Sequence, residues 1–333
     1  MKKITIAIVA IVIVVAVAYF GLNHITKSAP VATNQAPIKI GIVAYPDNGI
    51  FYLAQEKGFF KKYGVNVELV PISADDNFAA LEANKIQMVA PYSPDTMTIV
   101  AESGIAAKQI FVTSISDGAD GLLTTKDIQK ISDLKGKEVY LTYGYPEHFF
   151  FRYLAEKNGL AYDDVKLVNM GSEEIGAAFA SGKINAGMTW EPWLTKGLER
   201  KDGQLLISSH DVPGVIMSVM VARNDVIKDR RTDVKNIMRA LLDASAWWDK
   251  NVDEGNALTA KQFNLPVADF TALKKGIQLA NLQTNLNKFD KTAPLSVYDE
   301  VTKAVDYYLH DGVIKTKLTA ESVTDSSLIN ELR

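Results

Sequence analysis

The chain has 333 residues, 47% hydrophobic and 23% charged, enough for a sizeable core in one large domain or two smaller ones. A net charge of −3 offers nothing to a phosphate backbone, which argues against nucleic acid as a partner. Cysteine is absent, so disulfides, thiolate catalysis, iron–sulfur clusters, a Cys-based zinc site and a lipid-bearing cysteine are all excluded.

Met1, Lys2 and Lys3 form a basic start, and the next nineteen residues, 4–22, carry no charge. A signal peptide usually has a shorter apolar core and a spanning helix needs about 17–25 residues, so the segment fits either. Ala16-Val17-Ala18 offers a cleavage site, although bulky Tyr19 and Phe20 follow it. A cleaved signal and a retained anchor both stay open. The positive-inside rule places everything after the segment outside the cytoplasm. Residues 23–37 read as a polar tether, and residues 1–36 are assigned to export rather than to the fold.

Beyond the tether, residues 38–44 and 67–72 read as strands, and 51–63, 77–84 and 95–103 as helices. Such alternation predicts βα units around a mostly parallel sheet. Residues 114–121, small and glycine-bearing, suit a crossover. The pattern then recurs about a hundred residues later. Tyr45-Pro46-Asp47 with Tyr52-Leu53-Ala54-Gln55-Glu56-Lys57-Gly58 matches Tyr145-Pro146-Glu147 with Tyr153-Leu154-Ala155-Glu156-Lys157-Asn158-Gly159. Ala79-Ala80-Leu81-Glu82-Ala83-Asn84-Lys85-Ile86-Gln87 matches Ala177-Ala178-Phe179-Ala180-Ser181-Gly182-Lys183-Ile184-Asn185, and each leads to an aromatic, a polar residue and a proline: Tyr92-Ser93-Pro94 and Trp190-Glu191-Pro192.

Gly58, Asn84, Gly159 and Gly182 are expected to end helices in the left-handed conformation. Pro46, Pro94, Pro146 and Pro192 are expected at first helical positions, where proline loses no hydrogen bond. Residues 216–222 read as a strand returning to the first half. Residues 231–251 and 296–310 show 3.6-residue periodicity, and the remainder from Asp225 is expected to pad the first lobe. The predicted fold is α/β with two lobes: 37–118 plus 222–333, and 119–221. Loops at the carboxyl ends of strands are where open α/β sheets bind ligands. Two such edges facing each other, joined by two crossovers, predict a cleft that closes by hinge motion.

The segments Tyr52-Leu53-Ala54-Gln55-Glu56-Lys57-Gly58-Phe59-Phe60 with Gly64-Val65-Asn66-Val67-Glu68, Ser132-Asp133-Leu134-Lys135-Gly136-Lys137-Glu138-Val139, and Gly182-Lys183-Ile184-Asn185-Ala186 with Thr189-Trp190-Glu191-Pro192-Trp193 resemble the nitrate/sulfonate/taurine-type solute-binding proteins of ABC importers. The resemblance covers residues 38–310 and implies the type II periplasmic binding protein fold. It also implies a small-molecule ligand and, as partners, an inner-membrane ABC permease and its ATPase. A monomer is expected, periplasmic or extracytoplasmic, secreted across the inner membrane or tethered to it by residues 4–22. Sulfonate binders of this type commonly show Gly-Ser-x-x-His at the first turn of lobe two. Here Gly144 and His148 remain, but Tyr145 replaces the hydroxyl residue, which puts a sulfonate in doubt.

The candidate cleft loops 44–49, 91–96, 114–121, 143–148 and 189–193 hold Asp47, Asp95, Asp117, Asp120, Glu147 and Glu191, and no lysine or arginine. Ligand contacts are expected from Tyr45, Asp47, Asn48, Tyr92, Ser93, Asp117, Tyr145, Glu147, His148, Trp190 and Glu191. Helix N-termini favour an anion by about 0.3–1 kcal/mol each near the surface. Unpaired buried carboxylates disfavour one by several kcal/mol. Aromatic faces add roughly 0.5–2 kcal/mol for a cation. The expected ligand is therefore neutral or cationic and nitrogenous (an amine, amidine or pyrimidine), with a sulfonate or other small anion as the alternative.

A structural reading competes at each position. Asp47, Asp95, Glu147 and Glu191 could cap helices, Asp117 and Asp120 could fix the crossover turn, and Trp193, Trp247 and Trp248 could be core. No catalytic, metal or cofactor site is expected, since His-Glu-x-x-His, Gly-x-Ser-x-Gly and phosphate-loop patterns are missing. A pyrimidine-synthase-like enzyme on the same fold would carry a cysteine-rich iron motif, which a chain without cysteine cannot. A membrane-anchored sensory binding protein is the remaining alternative, although few residues precede the apolar segment.

Overall fold

The computed structural model describes residues 35–333 except Ala44, Ala74 and Asp75, and omits the side chains of Pro91 and Tyr92. The proposed signal or anchor lies outside the described residues. Among them no helix is long and apolar enough to cross a membrane.

The strands are β1 (Ile38–Ile42), β2 (Val67–Pro71), β3 (Met88–Tyr92), β4 (Ala107–Ser116), β5 (Asp120–Thr125), β6 (Glu138–Leu141), β7 (Lys166–Asn169), β8 (Ala186–Trp190), β9 (Gly203–Ser208), β10 (Met217–Arg223) and β11 (Ile277–Leu279). They form two sheets, ordered β11-β4-β10-β3-β1-β2 and β7-β6-β8-β5-β9. Setting β11 aside, the orders superimpose: β1, β2 and β3 correspond to β6, β7 and β8. The repeat in sequence is a repeat in topology.

The sheets are mixed, which corrects the expectation of a mostly parallel arrangement. β1 runs parallel to β2 and β3, and β6 parallel to β7 and β8. The strands that cross between halves enter the other way. β10 is antiparallel to β3 and β4, and β5 is antiparallel to β8 and β9. Local pattern shows that a segment is a strand but not which neighbour it meets. The outward crossing is short, three residues between β4 and β5. The chain rejoins the first sheet at Met217.

Residues 51–63 form two helices rather than one, Gly49–Glu56 and Phe59–Lys62, divided at Gly58 with φ 72°. Asn84, Gly159 and Gly182 are likewise left-handed, at φ 55°, 71° and 76°. Pro46 and Pro146 occupy first helical positions as expected. Pro94 and Pro192 do not: Pro94 sits in a turn before the Met97–Glu102 helix, and Pro192 is the residue before Trp193–Gly197.

The main core runs along β1, β3, β4 and β10, where Ile40, Met88, Val89, Ile110, Phe111, Val112, Val219 and Val221 are fully buried. Each such side chain contributes about 1.5–3 kcal/mol of transfer free energy. Trp248 belongs to this core, whereas Trp247 is partly buried with Lys57 Nζ 4.2 Å from its ring centroid. A smaller cluster of Leu123, Ile175, Phe179, Ile184 and Leu194 underlies the second sheet.

Candidate functional site

In both sheets the βα junctions leave the carboxyl ends of strands. Tyr45 follows β1 and Trp190 ends β8, so they belong to different sheets. Their rings stack with centroids 5.6 Å apart and planes 20° from parallel. The two strand edges therefore face one another at these residues.

Asp47 from the first half and Asp120 and Glu147 from the second act on Tyr45, and a fourth acid, Asp95 of the first half, acts on Glu147. None is more than 3% exposed. Asp47 Oδ2 accepts from Ser114 Oγ at 2.6 Å and the acid is also bonded by Ser218. Asp95 accepts from the Tyr308 hydroxyl and from Ser93. Asp120 accepts from Ser116, which is also 2.7 Å from Ser209 Oγ. Glu147 Oε1 accepts from Ser172 Oγ at 3.1 Å.

These partners are hydroxyls, which donate hydrogen bonds without supplying countercharge. Burial is the main cause that pushes each carboxyl upward: Asp95 and Asp120 to about 6, Glu147 to about 8, Asp47 in the same direction. The neighbouring charges of Asp120 and Asp95 add to the effect on Glu147.

Several buried polar atoms at these junctions have no partner among the described residues. They are Asp47 Oδ1, Asn48 Oδ1, Asp95 Oδ1, Glu147 Oε2, Trp190 Nε1 and both amide atoms of Asn77. Buried polar groups are nearly always paired, so each calls for an explanation. Asn48 is half satisfied, since its Nδ2 donates to the carbonyls of Val43 at 2.7 Å and Ala90 at 3.2 Å. The Asn48 amide oxygen can only accept, whereas a carboxyl that keeps its proton also has one O–H to donate. No group of three or more His, Cys, Asp or Glu among the described residues could hold a metal ion.

Other expected contacts are engaged elsewhere. His148 Nδ1 accepts from the Gly144 N–H at 3.2 Å and Nε2 lies 2.7 Å from Asp311 Oδ2, so both ring nitrogens face protein partners. Asp117 meets His210 Nδ1 at 2.6 Å and Gln278 Nε2 at 2.5 Å, and these bonds lower its carboxyl, the first from His210. Glu191 accepts from the Thr195 N–H at 3.1 Å and Thr195 Oγ1 at 2.8 Å, which is the capping role. Ser93 Oγ lies 2.8 Å from Thr96 Oγ1. The Tyr145 ring is 42% exposed. The Tyr92 side chain lies outside what the structure describes.

Residues that the sequence did not single out complete the site: Ser114, Ser116 and Ser218 on strands, Ser172 and Asn77 at βα junctions, and Tyr308 and Glu300 on the Val297–His310 helix. The equivalence of the β2 and β7 junctions could have pointed to Asn77 and Ser172. Nothing local marks Tyr308, 213 residues from Asp95. An open groove of about 440 Å³ lined by Tyr153, Lys157, Lys291, Tyr298 and Lys303 lies apart from these acids. Two of its lysines have acidic partners, Lys291 with Glu321 at 2.9 Å and Lys303 with Asp299 at 3.6 Å, and Lys157 Nζ lies 5.4 Å from the Tyr153 ring centroid.

Comparison with known proteins places these features in context. The family described as NMT1/THI5 like matches residues 45–254. A Brucella abortus protein provisionally designated a binding protein is 25% identical over 288 residues, 85% of this chain and 88% of that one. The taurine-binding periplasmic protein of Escherichia coli is 23% identical over 256 residues, 74% of this chain and 77% of that one. The crystal structure of the periplasmic aliphatic sulphonate binding protein of Escherichia coli superimposes with a TM-score of 0.71 at 16% identity, covering 89% of this chain and all of that one. That likeness shows the fold to be that of periplasmic binding proteins.

Proposed function

Because this chain belongs to the NMT1/THI5-like family, we propose that it is the extracytoplasmic substrate-binding component of an ABC importer, capturing a small polar molecule between its two sheets. Residues 37–118 with 217–333, and 119–216, are taken as the lobes, the return crossing moving from residue 222 back to the start of β10. The permease and its ATPase are the implied partners. The names of the Brucella abortus and Escherichia coli relatives, both given for binding, support this role.

For the ligand, we read the site as built for a nitrogenous molecule, neutral or cationic. The observation that carries this reading is the set of orphaned, buried acceptors from both halves, with no basic side chain hydrogen-bonded to the four acids among the described residues. Tyr45, Asp47, Asn48, Glu147 and Trp190 are the contacts it uses. A sulfonate remains the second reading because similar proteins are named for taurine and aliphatic sulfonates.

A thermal-shift screen over taurine, alkanesulfonates, amines, amidines and pyrimidines tests the assignment. A ligand at a hundredfold excess over Kd stabilises the folded state by about 2.7 kcal/mol. Stabilisation by sulfonates with none from the nitrogenous set would overturn the ligand reading and leave the binding role intact.

A further inference from the structure

Four carboxyls at most 3% exposed cannot all be ionised without a countercharge. Glu147 faces Asp120 and Asp95, and acts on Tyr45 and Tyr308. Asp95 faces Glu300, and Asp120 faces Glu191. Lys274 acts on Asp47, but its Nζ donates to the Ile277 carbonyl at 2.9 Å and lies 5.4 Å from the Trp248 ring centroid. Lys288 acts on Glu300 and donates to the carbonyls of Gly214 at 3.1 Å and Leu295 at 2.7 Å. Acidic groups outnumber basic ones around the site.

Resting on the reading of this site as the ligand site, we infer that its ligand is a polyatomic organic cation with N–H groups on more than one side, and that the buried carboxyls release protons to solvent as it enters. Three observations carry the inference. Orphaned oxygens come from both halves, Asp47 Oδ1, Asn48 Oδ1 and Asp95 Oδ1 from the first and Glu147 Oε2 from the second, and outnumber the orphaned donors Trp190 Nε1 and Asn77 Nδ2, so a ligand reaching only one half leaves the other unpaired. Asn48 is not an acid, so its bare oxygen is independent of the charge argument. The acids do not converge into a metal-holding group among the described residues, which favours a ligand with several separated donors over a single ion.

The Tyr45 and Trp190 π faces suit a cation placed beside the stack. The exchange balances one for one: for each positive charge the ligand brings, one carboxyl loses its O–H proton to buffer and accepts a ligand N–H, with no covalent bond to carbon made or broken. Protons occupy the empty site and the ligand's charge replaces them.

Isothermal titration in two buffers of different ionisation enthalpy tests this, with acetamidinium, benzamidinium and putrescine as cationic probes and taurine and ethanesulfonate as anionic ones. The expected result is binding by at least one cationic probe, with heats that differ between buffers and report proton release. Glu147→Gln should weaken that binding about tenfold or more and remove part of the released proton count. Binding without buffer-dependent heats overturns the proton exchange. Tighter binding by a sulfonate overturns the cation and leaves the importer role standing. Binding by no probe in either panel overturns the site reading itself, and the inference with it.

Discussion

Arg152 and Asp311 form a buried two-point contact: Arg152 Nε donates to Asp311 Oδ2 at 2.7 Å and a second guanidinium nitrogen donates to Oδ1. Both side chains are 5% exposed. His148 joins from the same helix, Pro146–Lys157, and because its Nδ1 accepts from Gly144, its Nε2 carries the proton and donates to Asp311. The helix follows β6 of the second sheet, whereas Asp311 ends the helix whose Tyr308 reaches Asp95 beside β3 of the first. The contact ties the two halves together away from the crossovers.

Asp311→Asn should therefore cost about 3–5 kcal/mol, because it leaves a buried guanidinium without its countercharge. Denaturant unfolding measures this, and a loss under about 1 kcal/mol would mean that water reaches the pair. Burial opposes ionisation of Asp311, but the bonds from His148, Arg152 and His310 win and hold its carboxyl below the ordinary range. A depressed carboxyl stabilises the fold above its unfolded value and is lost only as pH falls below about 4.

The acids of the site act in the opposite sense. Asp95 and Asp120, raised to about 6, and Glu147, raised to about 8, hold protons in the folded state that the unfolded chain releases near pH 4. The folded state then binds more protons, so the ligand-free protein should lose stability as pH rises from about 4 to 8. A melting series over that range checks it. Glu147→Gln should flatten its upper half, and a melting temperature that climbs steadily to about pH 8 would contradict the burial of these groups.

Replacing Trp190 or Tyr45 by alanine should lower the ligand-free melt only modestly, since both rings are half-buried and the stack adds about 0.5–1.5 kcal/mol to the area they bury. Ligand affinity should fall about tenfold or more. A large stability loss with unchanged affinity would make the stack structural.

Gly49 begins the helix after the Tyr45–Asn48 turn, and a Cβ there would lie 2.0 Å from Thr259 Cγ2 and 2.8 Å from Trp248 Cη2. Gly49→Ala should cost about 1–3 kcal/mol through overpacking. Thr259→Ala in the same chain should recover part of that loss, and a double-mutant cycle in denaturant measures the recovery.

The duplicated half-fold was legible because its markers are local. Left-handed Gly58, Asn84, Gly159 and Gly182, and prolines 46 and 146 at helix starts, need only their own backbone conformation to be read. The facing of the two edges at Tyr45 and Trp190 agrees with the repeat, while Pro94 and Pro192 show that the second pair of corners opens less regularly. The directions of β5 and β10 were not legible, because pairing is decided by neighbours far away in sequence.

Residue type alone could not separate ligand groups from structural ones. Glu191 and Glu147 are both acids in junction loops of the second half, yet the first accepts from Thr195 and the second keeps an oxygen bare. His148 looked like a contact until Asp311, 163 residues on, claimed its ring.

The stretch beyond β10 was expected to pad the first lobe, and it does more than that. A chain ending at Arg223 would keep every strand but β11 and each of the facing loops. It would lack Tyr308 for Asp95, Asp311 for His148 and Arg152, Gln278 for Asp117, and the wall that seats Gly49. The final third thus works as a brace, setting the aim of groups it does not itself contain.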